Sequence, residues 1–161
     1  MLFTSPIASL KIDPAVIPTG YKYGATRGYR GGIHQGLDLG KQGDTIVAAA
    51  DGRVKFAGQS VGYGGLMVYL EHGAGWETRY MHFSATPSVK QGAQVQRRQT
   101  LGKVGMTGIT TSPAHLHFEI LRNGNYLNPL AILTGTAGAV GLATLIGAGY
   151  IIARAFGLVR A

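Results

Sequence analysis

Thr45-Ile46-Val47-Ala48-Ala49-Ala50-Asp51-Gly52-Arg53-Val54-Lys55-Phe56-Ala57-Gly58 reads as two short strands on either side of an Asp-Gly turn. The Asp-Gly pair marks a tight turn because both residues tolerate the backbone angles such a turn demands. The same pattern recurs downstream. Leu66-Met67-Val68-Tyr69-Leu70 is a short apolar run suited to a buried strand. Glu77-Thr78-Arg79-Tyr80-Met81-His82 alternates in polarity, and so does Leu116-His117-Phe118-Glu119-Ile120-Leu121, ahead of the turn Asn123-Gly124-Asn125. Strands this short, punctuated by glycine, predict a mainly β protein built as a compact antiparallel sheet with few helices.

Composition narrows the function classes. The chain has 161 residues and no cysteine, which excludes disulfide scaffolds, thiolate zinc fingers and cysteine nucleophiles. A hydrophobic share of 45% argues against disorder, and 26 glycines are about twice the usual ~7%. Fifteen Lys+Arg against seven Asp+Glu give a formal charge of +8. Such a balance suits anionic company: nucleic acid, lipid headgroups or the polymers of a cell wall.

Composition breaks at Asn128-Pro129. From Leu130 to Ala153 there is no charged residue, and Arg154 is the first to follow. As a helix, this segment would be about 36 Å long, enough to cross a hydrocarbon core of ~30 Å. It is therefore expected to be a transmembrane helix, with Arg154 and Arg160 flanking its far end. Gly135, Ala139, Ala143 and Gly147 would form a stripe of small residues through which two such helices could self-associate. Met1–Leu10 has no basic residue, and Pro6 interrupts its apolar run, so no cleaved secretory leader is expected there. The expected organisation is an N-terminal extension over 1–26, a functional domain over 27–129, and a membrane helix with a short basic tail over 130–161.

Chemistry concentrates in four of the five histidines. His34 and Asp38 are four apart, on a strand or across a tight bend at Gly36, and His115 and His117 are two apart in a strand-like run. Residues at even spacing on a strand share a face, so the two pairs can converge. Two imidazoles and one carboxylate make a three-ligand set that leaves a fourth tetrahedral position open, the pattern of catalytic rather than structural zinc. His72 reads as a strand-end histidine hydrogen-bonded to backbone. Glu119 stands two residues past His117; it could orient a ligand from behind, and is read here as a solvated strand residue.

These residues carry a resemblance. Gly32-Ile33-His34-Gln35-Gly36-Leu37-Asp38-Leu39-Gly40 resembles the His-x-Gly-x-Asp signature of the lysostaphin-type (LytM-like) zinc metallopeptidases, which cut peptide cross-links of bacterial peptidoglycan. Gly43–Val54, Gly62–Gly65, Tyr80-Met81-His82, Leu101–Gly108, His115-Leu116-His117 and Asn128-Pro129 match the family's further blocks in order, over about residues 27 to 130. The resemblance implies Zn2+ held by His34, Asp38 and His117, with His115 and His82 as the unligated catalytic pair. It leaves open which of that pair is the general base. The chain departs from the family at Arg97-Arg98, where relatives carry a small residue and glycine in a turn, and at Thr111-Ser112-Pro113-Ala114.

The implied function is a zinc-dependent endopeptidase of peptidoglycan. With the expected C-terminal helix, the lipid membrane becomes a second partner. The setting would then be the virion membrane of a bacteriophage, as an entry or lysis hydrolase, or a bacterial inner membrane with the domain facing the periplasm. A catalytically inactive relative that binds wall peptides or regulates another hydrolase is the alternative. A biotinyl-type carrier would need a lysine at its hairpin tip, and Asp51-Gly52-Arg53 supplies none. A nucleic-acid partner is not expected, because no stacking aromatics interleave with the basic residues.

Overall fold

The computed structural model describes residues 1–27, 32–60, 64–109 and 113–136. Their strands follow the order β1 (Thr26–Arg27), β2 (Gly32–Ile33), β3 (Leu37–Leu39), β4 (Thr45–Val47), β5 (Gly52–Gln59), β6 (Leu66–Glu71), β7 (Trp76–Met81), β8 (Gln94–Val95), β9 (Thr100–Lys103), β10 (Leu116–Arg122) and β11 (Asn125–Leu127). A 3₁₀ turn, Thr19–Tyr21, precedes them, and one short helix, α1 (Pro129–Leu133), follows.

The main sheet runs β11-β10-β7-β6-β5-β8, with β3 added alongside β10. Its pairings are antiparallel throughout. Period-two alternation divides the side chains between its faces. Val54, Val68, Leu70, Thr78, Tyr80, Leu116, Phe118 and Ile120 turn inward and are fully buried. They pack against Ile46 and Leu101 of the small β4–β9 sheet, and against Phe3, Ile7, Phe83 and Val104. Burying each large apolar side chain contributes about 1.5–3 kcal/mol. The Tyr80 hydroxyl enters this core because it has partners there, the Ala49 N–H at 2.9 Å and the Thr78 hydroxyl at 3.0 Å. The other face carries His117, Glu119, Arg79, Glu77 and Tyr69, in the register Glu119↔Arg79↔Tyr69.

The strands expected at Leu66–Leu70, Glu77–His82 and Leu116–Leu121 are present as β6, β7 and β10. The two runs around Asp51-Gly52 are also strands, but they do not pair with each other: β4 joins β9, and β5 joins β6 and β8. Ala48, Ala49 and Ala50 are buried where the chain passes between the two sheets. Residues 4–8 run beside β4, through Ala8 N–H to Thr45 O, Val47 N–H to Pro6 O and Thr4 N–H to Ala49 O.

The expected membrane helix is corrected. Asn128 caps α1 through its side-chain oxygen, which accepts from the Leu130 and Ala131 amides, and Pro129 occupies the first turn. The helix has only five residues, and Gly135 then adopts a φ of 75°, outside helical space. Leu130, Ile132 and Leu133 pack against the core of the domain, so the head of the apolar segment covers protein. Among the described residues no helix is long and apolar enough to cross a membrane. The lipid partner, the membrane anchoring and the virion or inner-membrane setting all rested on that helix and fall with it. Ala139, Ala143 and Gly147 of the small-residue stripe lie outside the described residues, and Gly135 lies beyond the end of α1.

Candidate metal centre

His34 follows β2 directly, Asp38 lies in β3, and His117 in β10 stands opposite Asp38 in the sheet register. The bend between His34 and Asp38 depends on Gly36. A Cβ there would sit 2.6 Å from His117 Cε1 and 2.7 Å from the Phe118 carbonyl oxygen, so only glycine lets the His117 ring lie over the turn.

Three donor atoms meet at this point. His34 Nε2 is 3.0 Å from Asp38 Oδ1 and 3.0 Å from His117 Nδ1, and the remaining edge, His117 Nδ1 to Asp38 Oδ1, is 2.9 Å. Zinc bonds of ~2.0 Å in tetrahedral geometry place ligand atoms about 3.3 Å apart, close to this triangle. His34 and Asp38 are 5% and 3% exposed.

The outer ring nitrogens fix which atoms face inward. His34 Nδ1 lies 2.9 Å from the Lys22 carbonyl oxygen, which can only accept, so Nδ1 carries the proton and Nε2 presents a lone pair. His117 Nε2 lies 3.1 Å from Glu119 Oε1 and donates to that carboxylate. Two lone-pair atoms at 3.0 Å, His34 Nε2 and Asp38 Oδ1, repel unless a positive centre lies between them. The donor set therefore fits zinc: nitrogen and oxygen ligands, deeply seated, each imidazole backed by an acceptor. Without a metal, a proton on His117 Nδ1 takes that place. Burial opposes protonation of His117, but its hydrogen bonds to Asp38 and Glu119 outweigh burial and push the ring up to about 9. Burial would likewise raise the Asp38 carboxyl, and its contacts with His117 and His34 hold it far below the ordinary carboxylate range.

His82 and His115 stand beside the triangle. The His82 ring centroid is 5.1 Å from that of His115 and 6.2 Å from that of His117. Both donate from Nδ1 to backbone, His82 to Thr107 O at 2.9 Å and His115 to Pro113 O at 2.9 Å, which leaves each Nε2 with its lone pair. His115 Nε2 is 3.8 Å from Asp38 Oδ1. Burial is the largest influence on His82 and lowers its pKa to about 4. His82 holds a φ of 67°, a left-handed conformation rare for a residue with a Cβ, and the backbone locks it through His82 N–H to Gly64 O and Gly105 N–H to His82 O.

All five histidines and the aspartate are thus placed. His72 lies away from the cluster, with Nδ1 2.7 Å from Asp51 O and Nε2 2.8 Å from the Thr78 hydroxyl. Glu119 is not the solvated strand residue that its sequence position suggested: it is 4% exposed and directly behind His117. Arg98 has a φ of 74°, a left-handed conformation that favours glycine, and its guanidinium donates to Ala8 O at 2.6 Å. Residue-type patterns give no signal for the Lys22 carbonyl, for Arg79, or for Tyr21, whose ring stacks on His115 with centroids 6.4 Å apart.

A sheet fold with a His/Asp/His donor triangle at the start of β10 defines a zinc-site protein of lysostaphin type. The chain belongs to peptidase family M23, whose family model matches residues 32–129. It is 41% identical over 105 residues to the DD-carboxypeptidase/endopeptidase Mpg of Neisseria meningitidis serogroup B, covering 65% of this chain and 24% of the relative. It is 38% identical over 118 residues to the murein hydrolase activator NlpD of Escherichia coli, covering 72% and 30%. The chain thus spans about a quarter to a third of the length of these curated relatives. Among solved structures it resembles the catalytic domain of the antimicrobial peptidase lysostaphin from Staphylococcus simulans, at 33% identity and a TM-score of 0.64, covering 73% of this chain and 92% of that one.

Proposed function

We propose that this chain is a zinc-dependent endopeptidase that hydrolyses peptide cross-links of bacterial peptidoglycan. The observation that carries the reading is the convergence of His34 Nε2, Asp38 Oδ1 and His117 Nδ1 beside two further histidines whose Nδ1 atoms are anchored on backbone carbonyls. In this reading His34, Asp38 and His117 hold the metal, and His82 and His115 stay unligated. Zinc supplies a Lewis-acid centre that acidifies water and polarises a peptide carbonyl. His115, anchored on Pro113 O, takes the proton of the attacking water at Nε2 and returns it to the leaving amine. His82 is neutral at pH 7 because burial lowers its pKa to about 4, so its Nε2 accepts a hydrogen bond and orients that water. The +8 charge suits an anionic wall polymer.

The test is digestion of peptidoglycans bearing pentaglycine or direct diaminopimelate cross-links by the zinc-loaded chain, with products identified by mass spectrometry. Cross-link cleavage that is lost in His117→Ala and after chelation is the expected result. A chain that binds zinc one-to-one yet cuts neither wall type would overturn the endopeptidase reading, and would favour a hydrolase-activating role like that named for the Escherichia coli relative.

A further inference from the structure

Glu119 occupies an unusual place for a carboxylate. It is 4% exposed on the site-bearing face of β10, and its hydrogen-bond donor among the described residues is His117 Nε2 at 3.1 Å. Its second oxygen, Oε2, is buried and has no hydrogen bond among the described residues. A buried charge of this kind costs several kcal/mol unless it is compensated. The compensation comes from the neighbouring strand, where Arg79 stands opposite Glu119 in register, its guanidinium 3.5 Å from Oε2.

Arg79 is itself held by several partners. It pairs with Glu77, donates to the Tyr126 hydroxyl at 3.1 Å, and lies over the Tyr69 ring with 4.7 Å to the centroid. Lys55 closes the row on Glu77 at 2.6 Å. Charges therefore alternate across the sheet, Lys55, Glu77, Arg79, Glu119, and the row ends on the outer nitrogen of His117. Stability alone explains this row poorly. Lys55 and Arg79 keep contact with solvent, so their pairs are screened and contribute little. A buried carboxylate such as Glu119 is commonly replaced, together with its partner, by apolar residues at no loss. What an apolar side chain could not do is accept the His117 Nε2–H, fix the ring with Nδ1 toward Asp38, and make that nitrogen a stronger donor.

We infer that Glu119, held in place by Arg79, is a positioning residue that orients and polarises His117 for the metal. The inference rests on the zinc reading of the preceding section. It is tested on the full chain by chelator competition for zinc and by the visible spectrum of the cobalt-substituted protein, with unfolding measured in parallel. E119Q keeps an acceptor but loses the charge, and is expected to weaken zinc binding about tenfold; E119L is expected to weaken it toward 100-fold. R79M should fall between wild type and E119L, while R79K, which keeps the charge, should recover most of the affinity. E71Q, which removes a surface partner of Arg53 elsewhere on the sheet, should leave binding unchanged. The double variant R79M/E119L, which removes the buried carboxylate together with its half-buried partner, should fold about as stably as wild type yet bind zinc weakly with an altered cobalt spectrum. That outcome separates positioning from structural support. Wild-type zinc binding together with E119L affinity within twofold of it would overturn the inference and leave the zinc reading standing. A wild-type chain that takes up no zinc would overturn both.

Discussion

Between His34 Nε2, Asp38 Oδ1 and His117 Nδ1 only one positive centre fits at a time, so the metal competes directly with a proton. His117 is raised to about 9 in the metal-free chain and must be deprotonated to act as a ligand, so zinc binding at pH 7 expels that proton. The sign follows: affinity should rise about tenfold per pH unit as pH climbs toward 9, and flatten above it. Asp38 adds no slope in this range, because its carboxyl ionises far below it. Calorimetric zinc titrations in buffers of different ionisation enthalpy should report about one proton released per metal at pH 7; release near zero would refute the proton-for-metal exchange. The residues that make this exchange were largely visible in the sequence, because His34/Asp38 and His115/His117 repeat at spacings that put side chains on one face. Spacing alone did not separate His115 from His117. That depends on register, which sets His117 opposite Asp38 and leaves His115 just before β10. Nor could spacing show that Glu119 is buried. The same alternation describes a strand with a wet outer face, and the cover over Glu119 comes from side chains on other strands.

Strand ends decide where the unligated histidines stand. His82 leaves β7 in the left-handed region, and this turns the chain so that its ring reaches the cluster while Phe83 enters the core. A residue with a Cβ pays about 1–2 kcal/mol for that conformation. We therefore expect His82→Gly to unfold at an equal or higher temperature than His82→Ala, although both lose the imidazole. A clearly lower melting temperature for His82→Gly would show that the left-handed turn is not strained. Elements were legible where their patterns were local. β6, β7 and β10 follow from apolar runs and alternation, but the partners of β4 and β5 do not, because the Asp-Gly signal marks a turn without saying which strands it joins. The C-terminal apolar segment misled for a related reason. Length and lack of charge describe a membrane span and the head of a helix docked on a core equally well, and the arrest at Gly135 together with the packing of Leu130, Ile132 and Leu133 decides for the second at that end.

At the scale of the whole molecule, the matched segment 32–129 is not the full extent of the packed body. Phe3 and Ile7 are buried in the common core, Ile7 forms a bridge with Ile46, and residues 4–8 complete the edge of β4. Ile7→Ala is expected to destabilise the chain by about 2–5 kcal/mol, the range for emptying a fully buried aliphatic site. Urea denaturation would measure it, and a loss under 1 kcal/mol would mark the N-terminal stretch as an attachment rather than part of the body. The Lys22 carbonyl reaches further still, since it is the acceptor that fixes the tautomer of His34. Inheritance of this site is therefore split along the chain. A recombination event that exchanged only the signature-bearing stretch between relatives would carry over three ligands but not the peptide group that aims the first of them, and the hybrid would depend on whatever oxygen its new leader happened to offer.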